Sequence, residues 1–231
     1  MSSVLSQAAS VARAALGPLN QPQKQYENHR ADRCDNNRAQ KSSAHRGAQG
    51  TEQEPPQQSP ENADDVAARE LLRDAFTRLI EHVDELTDGL TDDRASYRPG
   101  PSANSIAWLI WHSARVQDIQ VAPIAGVEQV WTRDGWVDRF GLELPRNDTG
   151  YGHGPDEVAR VQAPAELLAG YYHAVHKLTL EFVAGVTAED LARIVDRNWD
   201  PPVTASARLV SVIDDCAQHL GQAAYVRDIA P

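Results

Sequence analysis

Apolar side chains recur every three or four residues in four long stretches of this 231-residue chain, which is the spacing of a buried helix face. The stretches cover about residues 64–90, 104–124, 164–186 and 204–229. A short helix is also predicted within Thr132–Phe140, and a short amphipathic segment within Ala188–Val195. After residue 60 no stretch of useful length alternates apolar and polar residues. The pattern therefore predicts an all-α four-helix bundle.

A connection of about 30 residues, Gly126–Pro155, joins the second and third predicted helices. Connections this long are uncommon inside compact domains and often functional. It can cross one end of a bundle, so the helices need not alternate in direction. Trp131 and Trp136 could line a substrate pocket or anchor the connection on the bundle. We interpret His153, which stands between two glycines, as a loop residue.

The first 60 residues differ sharply in composition from the rest of the chain. From residue 20 to residue 60 there is no Val, Ile, Leu, Met, Phe or Trp. Such a segment cannot bury enough apolar surface to offset the entropy lost on ordering. We therefore predict a disordered or non-native N-terminal extension at residues 1–60, followed by a folded domain at residues 61–231.

The predicted domain is strongly acidic. Residues 61–231 hold 15 of the 22 Lys and Arg residues and 28 of the 33 Asp and Glu residues, a net charge of −13. This charge argues against nucleic acid or an anionic membrane surface as the main partner. No apolar stretch approaches the length of a membrane span. The only cysteines, Cys34 and Cys216, form no plausible disulfide framework, so a reducing cytoplasm fits best.

One face of the last predicted helix carries polar side chains where a bundle needs apolar ones. Its residues follow helical spacing: Val212, Asp215, His219, Gln222 and Val226. Valine begins and ends this face, which indicates that it points inward. Burying its polar groups without partners would cost about 1 to 3 kcal/mol for each neutral group and more for the charge. We therefore expect these groups to be held by partners.

His112, on the second helix, lies on a stripe with Leu109, Val116 and Ile119. One ligand from this helix and an i, i+4 pair, Asp215 and His219, from a facing helix can form a three-ligand metal site with open positions. Two imidazoles and a carboxylate suit Zn(II), Ni(II) or Fe(II).

Two further side chains could belong to this site. Gln222 could orient the metal ligands. His176, on the third helix, could extend the site toward a substrate pocket, with a solvated position as its alternative. A buried polar network without metal is the alternative for the whole constellation.

Two motifs carry a resemblance to a known superfamily. They are NSIAWLIWH at residues 104–112, followed by RVQD at 115–118, and QHLGQAAYVR at 218–227. Together they resemble the second and last helices of the DinB-like (DinB/YfiT-like) superfamily of four-helix-bundle metalloproteins, over about residues 64–229. In that superfamily one histidine of the second helix and two of the last bind a divalent metal, usually zinc or nickel. His112 and His219 match this pattern, whereas the remaining histidine falls at Asp215.

The resemblance also implies a function. Characterised relatives include mycothiol-dependent maleylpyruvate isomerase, bacillithiol transferases and the amino-terminal part of ergothioneine-forming enzymes. It therefore implies a divalent-metal-dependent enzyme, commonly a homodimer, that transfers or adds a mycothiol-like thiol to a small electrophile. A metal-dependent hydrolase and a non-catalytic metal-binding or stress-response bundle are the alternatives.

Overall fold

The computed structural model of the protein describes residues 62–231, which form nine helices and two short strands. The predicted extension at residues 1–60 lies outside the described residues. In chain order the elements are α1 Ala63–Thr87, α2 Asp92–Ser96, α3 Ile106–Ala125, α4 Val130–Arg133, α5 Trp136–Phe140, α6 Pro155–Arg160, α7 Ala165–Val183, α8 Ala188–Ala192, β1 Ile194–Asp196, β2 Val203–Thr204 and α9 Ala205–Ile229. The predicted all-α bundle is confirmed, and its four long helices are α1, α3, α7 and α9.

The four long helices form a square in which α3 and α1 occupy opposite corners and both pack against α7 and α9. Arg227, near the end of α9, donates to the carbonyls of Glu85 and Asp88 at the end of α1, so these two helices run parallel. Arg69, near the start of α1, donates to the carbonyl of Val186 just after α7, so α7 runs antiparallel to α1.

The direction of α3 follows from the contacts of its C-terminal end. Arg193 donates to the carbonyl of Ile124 near the end of α3, and its own carbonyl accepts the N–H of Ala205 at the start of α9. Helix α3 is therefore antiparallel to α9 and to α1, and parallel to α7. Because parallel neighbours cannot be joined by a tight turn, the connection from α3 to α7 must return along the bundle.

Local signals set the helix ends close to where the sequence places them. Ser105 begins α3 by accepting the N–H of Trp108 on its hydroxyl at 3.1 Å, and Thr204 caps α9 in the same way. Gly126, with a φ of 72°, ends α3 in the left-handed conformation. Gly135, with a φ of 73°, divides the single helix predicted within Thr132–Phe140 into α4 and α5.

Two features of the bundle differ from the sequence pattern. Strands β1 and β2 pair antiparallel, but they are too short to show alternation in the sequence. Helix α3 is buried on almost all sides, and on its predicted stripe Val116 and Ile119 are only half-buried. The connection covers the face of α3 that the other long helices leave open. Within residues 62–231 no helix has both the length and the apolar character needed to cross a membrane.

Candidate metal centre

Three side chains that the sequence singles out converge between α3 and α9. His112, Asp215 and His219 each offer one ligand atom, and these atoms lie within 4.8 Å of one another. His112 is buried, and the side chains of Asp215 and His219 keep 17 % and 19 % of their surface exposed. The antiparallel packing of α3 and α9 brings the i, i+4 pair opposite the single histidine.

The geometry of the triad leaves space between its members. The imidazole rings of His112 and His219 are 4.8 Å apart, centroid to centroid, at an interplanar angle of 75°. Nε2 of His219 lies 3.7 Å from Oδ1 of Asp215, which is longer than a hydrogen bond. The three side chains therefore bring their ligand atoms around a common space, and Nε2 of His219 makes no hydrogen bond to Oδ1 of Asp215.

The orientation of His112 is set from the connection. Its Nδ1–H donates to the backbone carbonyl of Thr149 at 2.5 Å, which leaves Nε2 as the nitrogen available to a metal. Burial, together with the neighbouring His219, lowers the pKa of His112 to about 4. The imidazole is therefore neutral at neutral pH, which is the form that binds metal ions.

The other two members of the triad also suit a cation. Burial raises the pKa of the Asp215 carboxyl, while the nearby His219 opposes this rise. Nδ1 of His219 is buried and makes no hydrogen bond to any residue of 62–231. Burying a carboxylate and such an imidazole nitrogen costs free energy that a bound cation would offset. The donor set and its surroundings therefore fit a divalent metal ion.

Trp108 forms one wall of this site. Its ring stacks on His112 with centroids 4.5 Å apart and an interplanar angle of 18°, and it meets His219 edge-on at 6.0 Å. Trp108 and His112 are one turn apart on α3, so their spacing could have identified the contact. Trp108 is not among the site residues predicted above and appears there only within the motif at residues 104–112.

Gly150, on the connection, lies directly against the site. A Cβ atom at this position would be 2.8 Å from Nδ1 of His112 and about as close to the rings of Trp108 and Trp111. Its φ of 88° is also one that other residues rarely adopt. Glycine is therefore needed at this position for the connection to reach His112.

Comparison with known proteins identifies the family. The model of the mycothiol-S-transferase family matches residues 71–230. The chain belongs to this family. The match agrees with the resemblance to the DinB-like superfamily. No curated protein matches the chain.

A solved structure is similar to this chain. It is described as the crystal structure of the conserved protein of locus from Enterococcus faecalis. That protein is 35% identical to this chain and superimposes with a TM-score of 0.66. The alignment covers 70% of this chain and 95% of the bacterial protein.

The two tryptophans of the connection pack against α7 in this family member. The indole N–H of Trp131 donates to the carbonyl of Arg146 at 2.7 Å, and its ring lies 5.1 Å from that of Tyr171. Trp136 also lies beside Tyr171. Its ring packs so closely on Gly170 that a Cβ atom at that position would be only 3.0 Å away. These contacts anchor the connection, and a role in a substrate pocket stays a prediction.

The two remaining predicted side chains lie on different helices. Gln222 is half-buried one turn beyond His219 on α9. His176 is half-buried on α7, where burial and His173 lower its pKa and Asp84 of α1 raises it. Nδ1 of His176 makes no hydrogen bond to any residue of 62–231, and His176 is not part of the triad.

A buried ion pair in α3 attaches the connection to the bundle. Arg115 is 1% exposed and donates to Asp118, to the Tyr171 hydroxyl and to the Gln129 side chain. Its Nε–H also donates to the carbonyl of Asp148 at 3.0 Å. The Asp118 carboxylate accepts the two backbone N–H groups at the start of α4. In the sequence both residues belong to the RVQD motif at 115–118, which does not show that they are buried.

Proposed function

We propose that the protein is a divalent-metal-dependent thiol transferase that joins a low-molecular-weight thiol such as mycothiol to a small electrophile. The match to the mycothiol-S-transferase family supports the thiol chemistry. The observation that carries the metal dependence is the convergence of His112, Asp215 and His219, with one ligand atom from each within 4.8 Å.

The ligand set fits the chemistry that this function requires. Two imidazoles and one carboxylate would hold Zn(II), Ni(II) or Fe(II) and leave coordination positions open. A bound divalent ion would supply a nucleophile at neutral pH by lowering the pKa of a thiol. Asp215, in place of the second histidine of the DinB-like pattern, adds a negative charge to the ligand set.

The side chains of the protein itself hold this arrangement in place. The carbonyl of Thr149 keeps the proton of His112 on Nδ1, so Nε2 keeps its lone pair for a ligand. The stacked ring of Trp108 restricts rotation of the same imidazole. With a halide-bearing acceptor, a C–S bond would form and the C–halogen bond would break. The halide would leave with the bonding electrons, and the thiol proton would pass to solvent.

Metal content is the first measurement that tests the proposal. Untagged protein should carry about one divalent ion per chain by elemental analysis, since each triad supplies one set of ligands. His112→Gln and His219→Gln should each lower this content, whereas His173→Gln, at an exposed position on α7, should not.

Thiol conjugation is the second measurement. With mycothiol and monochlorobimane as substrates, conjugation should stop on chelation and return when metal is restored. Conjugation that persists in metal-free protein would contradict the metal dependence. Absence of bound metal and of conjugation would leave the triad as a buried polar network, the non-catalytic alternative. Bound metal with ester hydrolysis and no conjugation would indicate a hydrolase.

A further inference from the structure

We infer that Asp148 and His153 are positioning residues of the metal site, because together they fix the carbonyl that orients His112. The inference rests on the proposed function, because the property that these two residues would change is the affinity of the triad for a divalent ion. Neither residue is a ligand, and both lie on the connection rather than on the helices that carry the triad. His153 therefore has a role that its position between two glycines does not indicate.

Both ring nitrogens of His153 are engaged. Its Nδ1 accepts the indole N–H of Trp108 at 3.1 Å, and its Nε2–H donates to Oδ1 of Asp148 at 3.0 Å. These partners fix the tautomer, and they leave no nitrogen to act as a base or a ligand. The side chain is 6% exposed, so water does not readily replace either partner. The function open to His153 is therefore to hold Trp108 and Asp148 in place.

Asp148 passes this constraint to the next residue of the chain. Its Oδ1 also accepts the backbone N–H of Gly150 at 2.8 Å, and its own carbonyl accepts Nε–H of Arg115. Thr149 thus lies between two residues whose backbones are held by hydrogen bonds. Its carbonyl direction is fixed as a result, and this carbonyl is the acceptor for His112.

The residues of α3 that meet this segment share one helix face. Trp108, His112 and Arg115 follow i, i+4, i+7 spacing and donate to His153, Thr149 and Asp148, respectively. The ring of Trp108 also stacks on His112. Loss of the His153 nitrogens would therefore loosen His112 through its carbonyl acceptor and through its stacking partner.

Two substitutions at one position separate hydrogen bonding from packing. His153→Phe keeps an aromatic ring beside Trp111, against which the imidazole stacks at 6.1 Å, but removes both nitrogens. His153→Gln supplies one acceptor and one donor that can replace the bonds to Trp108 and Asp148. A packing role predicts that the phenylalanine variant resembles wild type, whereas a positioning role predicts that the glutamine variant does.

Zinc affinity, measured by competition with a chelator, gives the first result. Residues that hydrogen-bond to a ligating histidine typically change metal affinity about 10- to 100-fold. His153 does not contact the ligand nitrogen and acts through Asp148 and Trp108. We therefore expect His153→Phe to bind zinc about 10-fold more weakly, at the lower end of this range. His153→Gln should stay within about 3-fold of wild type, because it retains both hydrogen bonds. Wild-type zinc affinity in His153→Phe would overturn the inference.

The tautomer of His112 in metal-free protein gives an independent result. Nitrogen-15 NMR of the histidine rings should show the Nδ1–H form in wild type and in His153→Gln, and a mixture of tautomers in His153→Phe. An unchanged tautomer in the phenylalanine variant would contradict the inference, even if wild type binds no zinc and the proposed function fails. If His153→Phe does not fold, Trp108→Phe removes the hydrogen bond between Trp108 and His153, keeps an aromatic ring beside His112, and receives both measurements.

Discussion

His112 on α3 donates its Nδ1–H to the backbone carbonyl of Thr149, 37 positions later in the chain. The acceptor belongs to the connection, and the donor ring carries a nitrogen that we propose as a metal ligand. The long connection therefore contributes to the site through its backbone, although none of its side chains belongs to the triad.

The close approach of the connection can be tested with two glycines of the same loop. Gly150 and Gly152 both have positive φ, but only Gly150 lies against His112. Alanine at Gly152 should lower the free energy of unfolding by about 1 to 2 kcal/mol, because alanine disfavours the left-handed region. Alanine at Gly150 should lower it further, because its Cβ would also clash with the ring of His112. Gly150→Ala should in addition weaken zinc binding, by about 10-fold or more, since it displaces the acceptor of His112. Equal zinc affinities in the two variants would contradict the contact.

The carboxylate of the triad has a matched control in the residue before it. Asp215 belongs to the triad, whereas Asp214 is exposed and accepts a hydrogen bond from Gln218. We expect Asp215→Asn to weaken zinc binding by about 100-fold or more, because it removes a charged ligand, and loss of a mere partner behind a ligand already costs about 10- to 100-fold. Asp214→Asn should leave the affinity unchanged. Chelator competition measures both affinities. Equal effects would show that the negative charge near the site matters and that Asp215 is not a ligand.

The buried ion pair predicts a large loss of stability. Arg115→Met removes the cation and leaves the carboxylate of Asp118, which is 0% exposed, without its charge partner. We expect the free energy of unfolding in urea to fall by about 3 to 5 kcal/mol. The control is Arg139→Met, an exposed arginine above the ring of Trp136, which should cost no more than about 1 kcal/mol. Similar losses in both variants would argue against a special role for the buried pair.

His176 should contribute to the loss of stability of the folded protein at acidic pH. Its pKa is lowered in the folded state by burial and by His173, from an ordinary value of 6.5. As pH falls through 6.5 the unfolded chain therefore binds protons more readily than the folded one, and stability is lost. We expect His176→Gln to reduce the decrease in unfolding free energy between about pH 7.5 and 5.5. Urea unfolding at the two pH values measures it, and identical decreases would exclude this contribution.

The triad is predictable from sequence because all its members lie on long helices. Helical periodicity places Asp215 and His219 on one face, and the resemblance to the DinB-like superfamily pairs them with His112. The acceptor at Thr149 follows no such period, because any residue can supply a backbone carbonyl and the fold alone decides which one faces a helix. The role of His153 is hidden for a different reason. Asp148 is only five positions away in the connection, but Trp108 lies 45 positions earlier and meets His153 only when the connection has packed against α3.

The order in which the chain is synthesised has a consequence for metal loading. His112 and Thr149 both precede α9 in the chain, so the ring and its acceptor are synthesised before Asp215 and His219. The complete set of ligands exists only after α9 has been made and has packed against α3. A divalent ion would thus enter a largely assembled domain. Its availability in the cell would then determine how many of the finished molecules carry the ion.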